Sequence, residues 1–159
     1  MTMRRLAQEV GCTPMALYGY FSGKAEILQT LWSEILSDLF ARISEVRDDH
    51  PEQRLLRLAR TYLSYWLDNP DHYRVLFMTE GVTQTEVSQF LDEEASLVGI
   101  GLFRDVMAVL MPGEADLRLR NDFLMCALQG IAHCHITMGG YGWSSPDLLA
   151  DRAVIAAIA

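Results

Sequence analysis

Glycine and proline punctuate this chain at well-spaced points, and between them apolar residues recur at three- and four-residue intervals. The breakers are Gly11, Pro14, Gly23, Pro51, Pro70, Gly81, the pair Pro112-Gly113, and the run from Gly139 to Pro146. There is no Asn-Gly hairpin signal and no sustained alternation of apolar and polar residues, so strands have nothing to specify them. The spacing predicts an all-α fold with helices over 2–10, 14–21, 24–47, 51–68, 71–79, 85–111, 114–138 and 146–158. In the third of these, Ile27, Leu28, Leu31, Ile35, Leu39, Ile43 and Val46 form one stripe. Pro51 and Pro146 suit the first helical position, where a missing N–H costs nothing.

Composition removes several classes. Half of the 159 residues are hydrophobic and 21% are charged, which is a globular balance. No stretch approaches the ~18 apolar residues of a membrane span, and MTMRRLAQEV lacks a signal-peptide core. Cys12, Cys126 and Cys134 show neither a zinc spacing nor a disulfide framework, so a reducing cytoplasm is the expected compartment. The net charge of −8 alone argues against nucleic acid. It is, however, unevenly spread. Residues 1–32 carry Arg4, Arg5 and Lys24 against Glu9 and Glu26, while the rest of the chain holds ten basic and nineteen acidic side chains.

The N-terminal residues carry the most information. Two short helices flank Gly11-Cys12-Thr13, and the small side chains of Ala7 and Gly11 permit a steep crossing. Thr13 before Pro14 is a hydroxyl cap followed by proline at the first helical position. This is the layout of a helix-turn-helix, whose second helix enters the DNA major groove. Arg4 and Arg5 lie in the first turn of their helix, where positive charge opposes the macrodipole, so an outside phosphate is the expected partner. Tyr18, Tyr20 and Lys24 crowd the far edge. Their hydroxyl and ammonium donors suit a phosphate backbone, with packing for Tyr18 and simple solvation for Lys24 as the alternatives.

Residues 2–28, TMRRLAQEVGCTPMALYGYFSGKAEIL, resemble the helix-turn-helix of TetR/AcrR-type transcriptional regulators. The resemblance rests on the hydroxyl before the first helix, the R-x-L-A core, the V-G turn, the P-x-A-L-Y-x-Y-F recognition helix, and the lysine that begins the next helix. It also extends weakly to His72-Tyr73-Arg74-Val75-Leu76-Phe77, which is similar to one branch of the family's C-terminal domains. The resemblance implies that Thr2 and Thr13 cap their helices and bind phosphates. It implies that Arg4 reaches a base edge or phosphate, and that Pro14, Met15 and Ala16 face bases. Tyr18, Tyr20 and Lys24 would hold the DNA backbone. Leu6, Ala7, Val10, Leu17 and Phe21 would form the small core of the unit. The family's DNA-binding domain has three helices and this chain begins at the second, so the chain is expected to be an N-terminally shortened regulator whose own DNA binding is in doubt.

The expected organisation is an incomplete DNA-binding domain with its connecting helix over 1–47, and a helical effector-binding and dimerisation domain over 48–159. Aromatic and methionine residues dominate the second part. Plain core is their ordinary role, but bundles of this family enclose a small-molecule pocket. The candidate lining is Tyr62, Tyr65, Trp66, Phe77, Met78, Phe103, Met107, Met125, Gln129 and His133, with Phe90 and Phe123 in the same aromatic set. Polar groups among these need partners if buried, from a ligand, a neighbouring carbonyl or water. Such walls suit a small hydrophobic effector. His133-Cys134-His135 does not read as a metal site, because residues i and i+2 point about 200° apart on a helix. No cofactor is expected. No nucleophile elbow, H-E-x-x-H or phosphate loop supports an enzyme, and Asp92, Glu93 and Glu94 read as a solvated face.

The family resemblance implies a homodimer through the last two long helices, matched to a palindromic operator. The leading reading is a ligand-responsive repressor in which effector favours a bundle state whose long 24–47 helix moves the DNA-binding units off operator spacing. The alternative is a helical small-molecule-binding or interaction module without DNA binding.

Overall fold

Four of the five prolines begin helices in the computed structural model, which describes residues 3–79 and 94–159, the side chains of 94–100 excepted. The described helices are α1 (Met3–Val10), α2 (Pro14–Tyr20), α3 (Lys24–Ser44), α4 (Pro51–Asp68), α5 (Pro70–Phe77), α6 (Glu94–Leu110), α7 (Leu117–Thr137) and α8 (Pro146–Ile158). No strand occurs among the described residues. None of their helices is long and apolar enough to cross a membrane. Phe90, Asp92 and Glu93, and the side chain of Glu94, lie outside what is described.

Three of the differences from the expected boundaries have a clear local reason. α3 stops at Ser44 rather than 47, because Arg47 folds back and donates to the Ser44 and Val46 carbonyls, capping the helix end. Pro70 opens α5 instead of merely ending α4. α7 starts at Leu117 rather than 114. Gly113 takes a left-handed φ of 85°, and the Glu114 carboxylate accepts the Asp116 N–H at 3.1 Å while pairing with Arg120 at 3.1 Å. That carboxylate therefore organises a turn, not a helical start.

α4 is the central post. Leu55, Leu58, Ala59, Tyr62, Leu63, Tyr65 and Trp66 are all buried. The stripe they form covers more of the helix circumference than one neighbour can hide. α3, α5, α6, α7 and α8 all pack against it. Arg60 on its rim makes two hydrogen bonds to Asp151 of α8, at 2.9 and 2.6 Å. α3 joins the bundle through Leu28, Trp32, Ile35, Leu36, Leu39 and Ile43. The Trp32 indole donates to the Val75 carbonyl at 3.2 Å, pinning α3 to α5.

Two outcomes follow for stability. Leu58 is fully buried, so Leu58→Ala is expected to cost about 2–5 kcal/mol in urea unfolding. Asp48 accepts the His50 N–H at 3.0 Å and pairs with Arg57 at 3.3 Å, which holds its carboxyl below its ordinary range. A lowered carboxyl pKa stabilises the fold at neutral pH, and that contribution disappears as the pH falls through the lowered value. Unfolding measured across pH should show Asp48→Asn with a shallower stability loss below about pH 4 and no change on the alkaline side.

Candidate nucleic-acid interface and bundle cavity

The turn between α1 and α2 is fixed by hydrogen bonds at every step. The Cys12 N–H reaches the Ala7 carbonyl at 2.9 Å and the Gly11 N–H reaches Gln8 at 3.3 Å. With Gly11 at φ 77°, this is a Schellman ending, which needs a residue that tolerates left-handed backbone. Thr13 then caps α2, its hydroxyl accepting the Ala16 N–H at 3.1 Å. Ala7, fully buried, sits where the helices cross. At the next junction the Ser22 N–H and hydroxyl both donate to one oxygen of Glu26, at 2.6 and 2.7 Å. These bonds hold the Glu26 carboxyl below its ordinary range.

Arg4, Arg5, Thr13, Pro14, Met15, Ala16, Tyr18 and Tyr20 are exposed, and Lys24 is half-buried. Thr2 lies outside the described residues. Met15 and Tyr20 are 83% and 82% exposed, and α2 buries no residue at all. Two expectations need correcting. Arg5 has a partner on its own helix, Glu9 at 3.1 Å, because i and i+4 share a face, which leaves Arg4 as the first-turn cation best placed for an outside phosphate. Val10 is not core but 67% exposed, since no described helix covers that side of α1. Leu6, Leu17 and Phe21 are half-buried.

A cavity of about 390 Å³ lies between α3, α4, α5 and α7. Tyr62 and Trp66 of α4, Phe77 of α5, and Met125 and Gln129 of α7 line it, all five from the expected set. Leu36, Leu39 and Phe40 of α3, with Leu76 and Cys126, complete the wall. These five were not anticipated. The signal for the α3 residues was present in their i, i+3, i+4 spacing, but the helix read as a connector rather than as part of the bundle.

The other five expected residues do not line the cavity. Phe103 and Met107 are buried as plain core. Met78 is 45% exposed. Tyr65 is buried behind Trp66; its hydroxyl donates to the Ile35 carbonyl at 2.9 Å and accepts from His72 Nδ1 at 3.1 Å, and burial pushes its pKa up to about 12. His133 is exposed at the end of a polar relay. In that relay Tyr62 donates to Gln129 Oε1 at 2.7 Å, Gln129 Nε2 donates to Tyr73 at 3.1 Å, and the Tyr73 hydroxyl meets His133 Nδ1 at 3.2 Å. Burial raises the pKa of both Tyr62 and Tyr73, so both stay protonated donors. His135 takes different neighbours, the Ile131 and Ser144 carbonyls at 2.9 and 3.2 Å.

On the outer side, α7 and α8 pack together and leave one continuous face. Leu119, Phe123, Cys126, Gly130, His133 and Thr137 are exposed along α7 at alternating four- and three-residue steps. Leu148, Arg152 and Ile155 do the same along α8. Leu119 and Leu148 are 67% and 63% exposed.

Residues 1–31 match the family described as bacterial regulatory proteins, tetR family. The chain is 34% identical over 99 residues to the nucleoid occlusion factor SlmA of Haemophilus influenzae. That match spans 58% of this chain and 45%, less than half, of the relative's own length. It is 23% identical to an HTH-type transcriptional regulator of Mycobacterium bovis, across 98% of this chain and 78% of that protein. The fold is shared with the TetR family transcriptional regulator PfmR of Thermus thermophilus, at a TM-score of 0.75 and 18% identity over 99% of this chain and 87% of that one. The N-terminal helix-turn-helix thus matches that of the tetR family, and the all-α fold is the one found in TetR family regulator structures.

Proposed function

We propose that the chain is a transcriptional regulator, acting as a repressor, that binds a palindromic operator as a homodimer and responds to a small hydrophobic effector in the bundle cavity. The observation that carries this reading is the position of α3. Its N-terminus follows directly on α2, and its middle turns, Leu36, Leu39 and Phe40, form part of the cavity wall. A molecule in the cavity therefore touches the same rigid helix that positions the DNA-reading unit. Effector binding shifts the protein toward whichever placement of α3 it contacts better.

On DNA, Arg4 reaches a base edge or phosphate, Arg5 supports it, and Thr13, Tyr18, Tyr20 and Lys24 hold the backbone. Pro14, Met15 and Ala16 meet the base edges, where apolar groups suit thymine methyls. The apolar face of α7 and α8 is covered by a second copy. Twofold pairing there sets the spacing of two recognition helices along the operator.

Binding to the DNA upstream of the chain's own gene should exceed binding to a shuffled duplex of equal length. Arg4→Ala should weaken that binding and lower its salt slope by about one. Equal affinity for both duplexes, or none at low salt, favours the alternative of a helical binding module without DNA function. Light scattering at micromolar concentration should give twice the 18.0 kDa chain mass, and Phe123→Glu should return the monomer mass. A wild-type species at 18.0 kDa would remove the dimer.

A further inference from the structure

We propose that a second copy of the chain completes the bundle cavity. Its α7 passes over Cys126 and closes the edge of the cavity there, so that cavity occupancy and dimerisation strengthen each other. This rests on the reading of the bundle as an effector-binding domain and of the α7–α8 face as the dimer contact.

Cys126 belongs to two surfaces at once. With Met125 and Gln129 it forms the α7 wall of the 390 Å³ cavity. It is also exposed on the outer stripe of α7, between Phe123 and Gly130. The α7 wall of the cavity therefore ends in solvent at Cys126. Whatever covers the outer stripe at this point also covers that edge.

The outer stripe is complementary to itself. Phe123, 50% exposed, projects from it one turn before Cys126. Gly130 lies one turn after Cys126, at the floor of a groove of about 550 Å³ walled by Ile131, Cys134 and Trp143. A Cβ at Gly130 would meet no atom within 4 Å, so the space above it is open. Knob and hole are two turns apart on one side of α7. An antiparallel copy related by a twofold axis midway between them seats the partner's Phe123 over Gly130, and Phe123 over the partner's Gly130, in one step. That axis runs beside Cys126, which brings the partner's α7 over the cavity edge. The α7 stripe holds no Asp, Glu, Lys or Arg, so closing it buries no such charge.

A hydrogen-bonded path ties the cavity to the same face. Gln129, on the cavity wall, donates to the Tyr73 hydroxyl at 3.1 Å, and that hydroxyl meets His133 Nδ1 at 3.2 Å. His133 stands on the outer stripe one turn beyond Gly130. An occupant that shifts Gln129 therefore disturbs the covered face from within.

Two exposed substitutions separate dimer from monomer. Phe123→Glu places a charge in the contact, and Gly130→Phe fills the groove without meeting a neighbour. Both should give monomers with unchanged helical circular dichroism. Benzophenone, an uncharged two-ring probe, is titrated into wild type and both variants by calorimetry. The expected result is roughly tenfold tighter binding to the wild-type dimer. By linkage, saturating benzophenone should lower the dimer dissociation constant by that factor for each of the two cavities. With Cys12→Ser and Cys134→Ser leaving Cys126 as the one thiol, iodoacetamide should modify the dimer roughly tenfold more slowly than the Phe123→Glu monomer, in proportion to the time Cys126 spends uncovered. Equal benzophenone affinity in dimer and monomers, or equal alkylation of Cys126 in both, overturns the proposal and leaves the two underlying readings standing. A dimer that survives both substitutions overturns it together with the α7–α8 contact. A monomeric wild type removes the dimer, and benzophenone binding to no form removes the effector reading; either result takes the proposal with it.

Discussion

The burial of α4 is the constraint on which the rest of the bundle depends. Seven of its residues, from Leu55 to Trp66, are removed from water, and no single partner helix can cover a stripe that wide. Five helices are therefore arranged around it. Trp66 is the hub of the aromatic packing, edge-on to Tyr62, Tyr65, Tyr73 and Phe77 at centroid distances of 6.0, 4.9, 5.7 and 5.3 Å. Edge-to-face contacts of this kind orient rings as well as bury them. The same ring that organises the core also fronts the cavity, so the cavity's shape is inherited from the packing of α4.

α3 links that core to the exposed N-terminal unit. One end follows a capped, glycine-dependent turn and the α2 helix, which buries nothing. From its third turn onward it is held to the bundle, by Trp32 to α5 and, near its far end, by the Arg42 guanidinium over the Tyr65 ring at 5.0 Å. In the proposed function, a helix anchored in the bundle and continuous with the lightly packed α1–α2 unit carries a small internal rearrangement outward. The acidic balance of residues 33–159 discourages DNA contact by the bundle, which is consistent with the α1–α2 surface as the DNA-contacting face in the proposed function.

Among the described residues, the helices and several of their boundaries were legible because prolines 14, 51, 70 and 146 open helices and the apolar spacing is regular. The Thr13 cap and the Gly11 turn were equally readable, being local chemistry. What sequence could not rank was which aromatic residues face an interior space. Tyr62 and Tyr65 are three residues apart on one helix and both buried, yet only Tyr62 lines the cavity, since the choice depends on where α7 and α3 pass. Phe103 and Met107 have the composition of a pocket wall but the placement of solid core. Val10 looked like core because its spacing is right, and it is exposed because spacing does not supply a covering helix.

The central claim is that one helix, α3, belongs both to the cavity and to the DNA-reading unit. Hydrogen exchange of the chain with and without benzophenone, an uncharged two-ring probe of a size to suit the 390 Å³ cavity, tests it directly. The account predicts slower exchange over residues 35–40, where α3 meets the cavity, together with altered exchange over 24–32 leading to α2. Protection confined to α4 and α7, with α3 unchanged along its length, would contradict it.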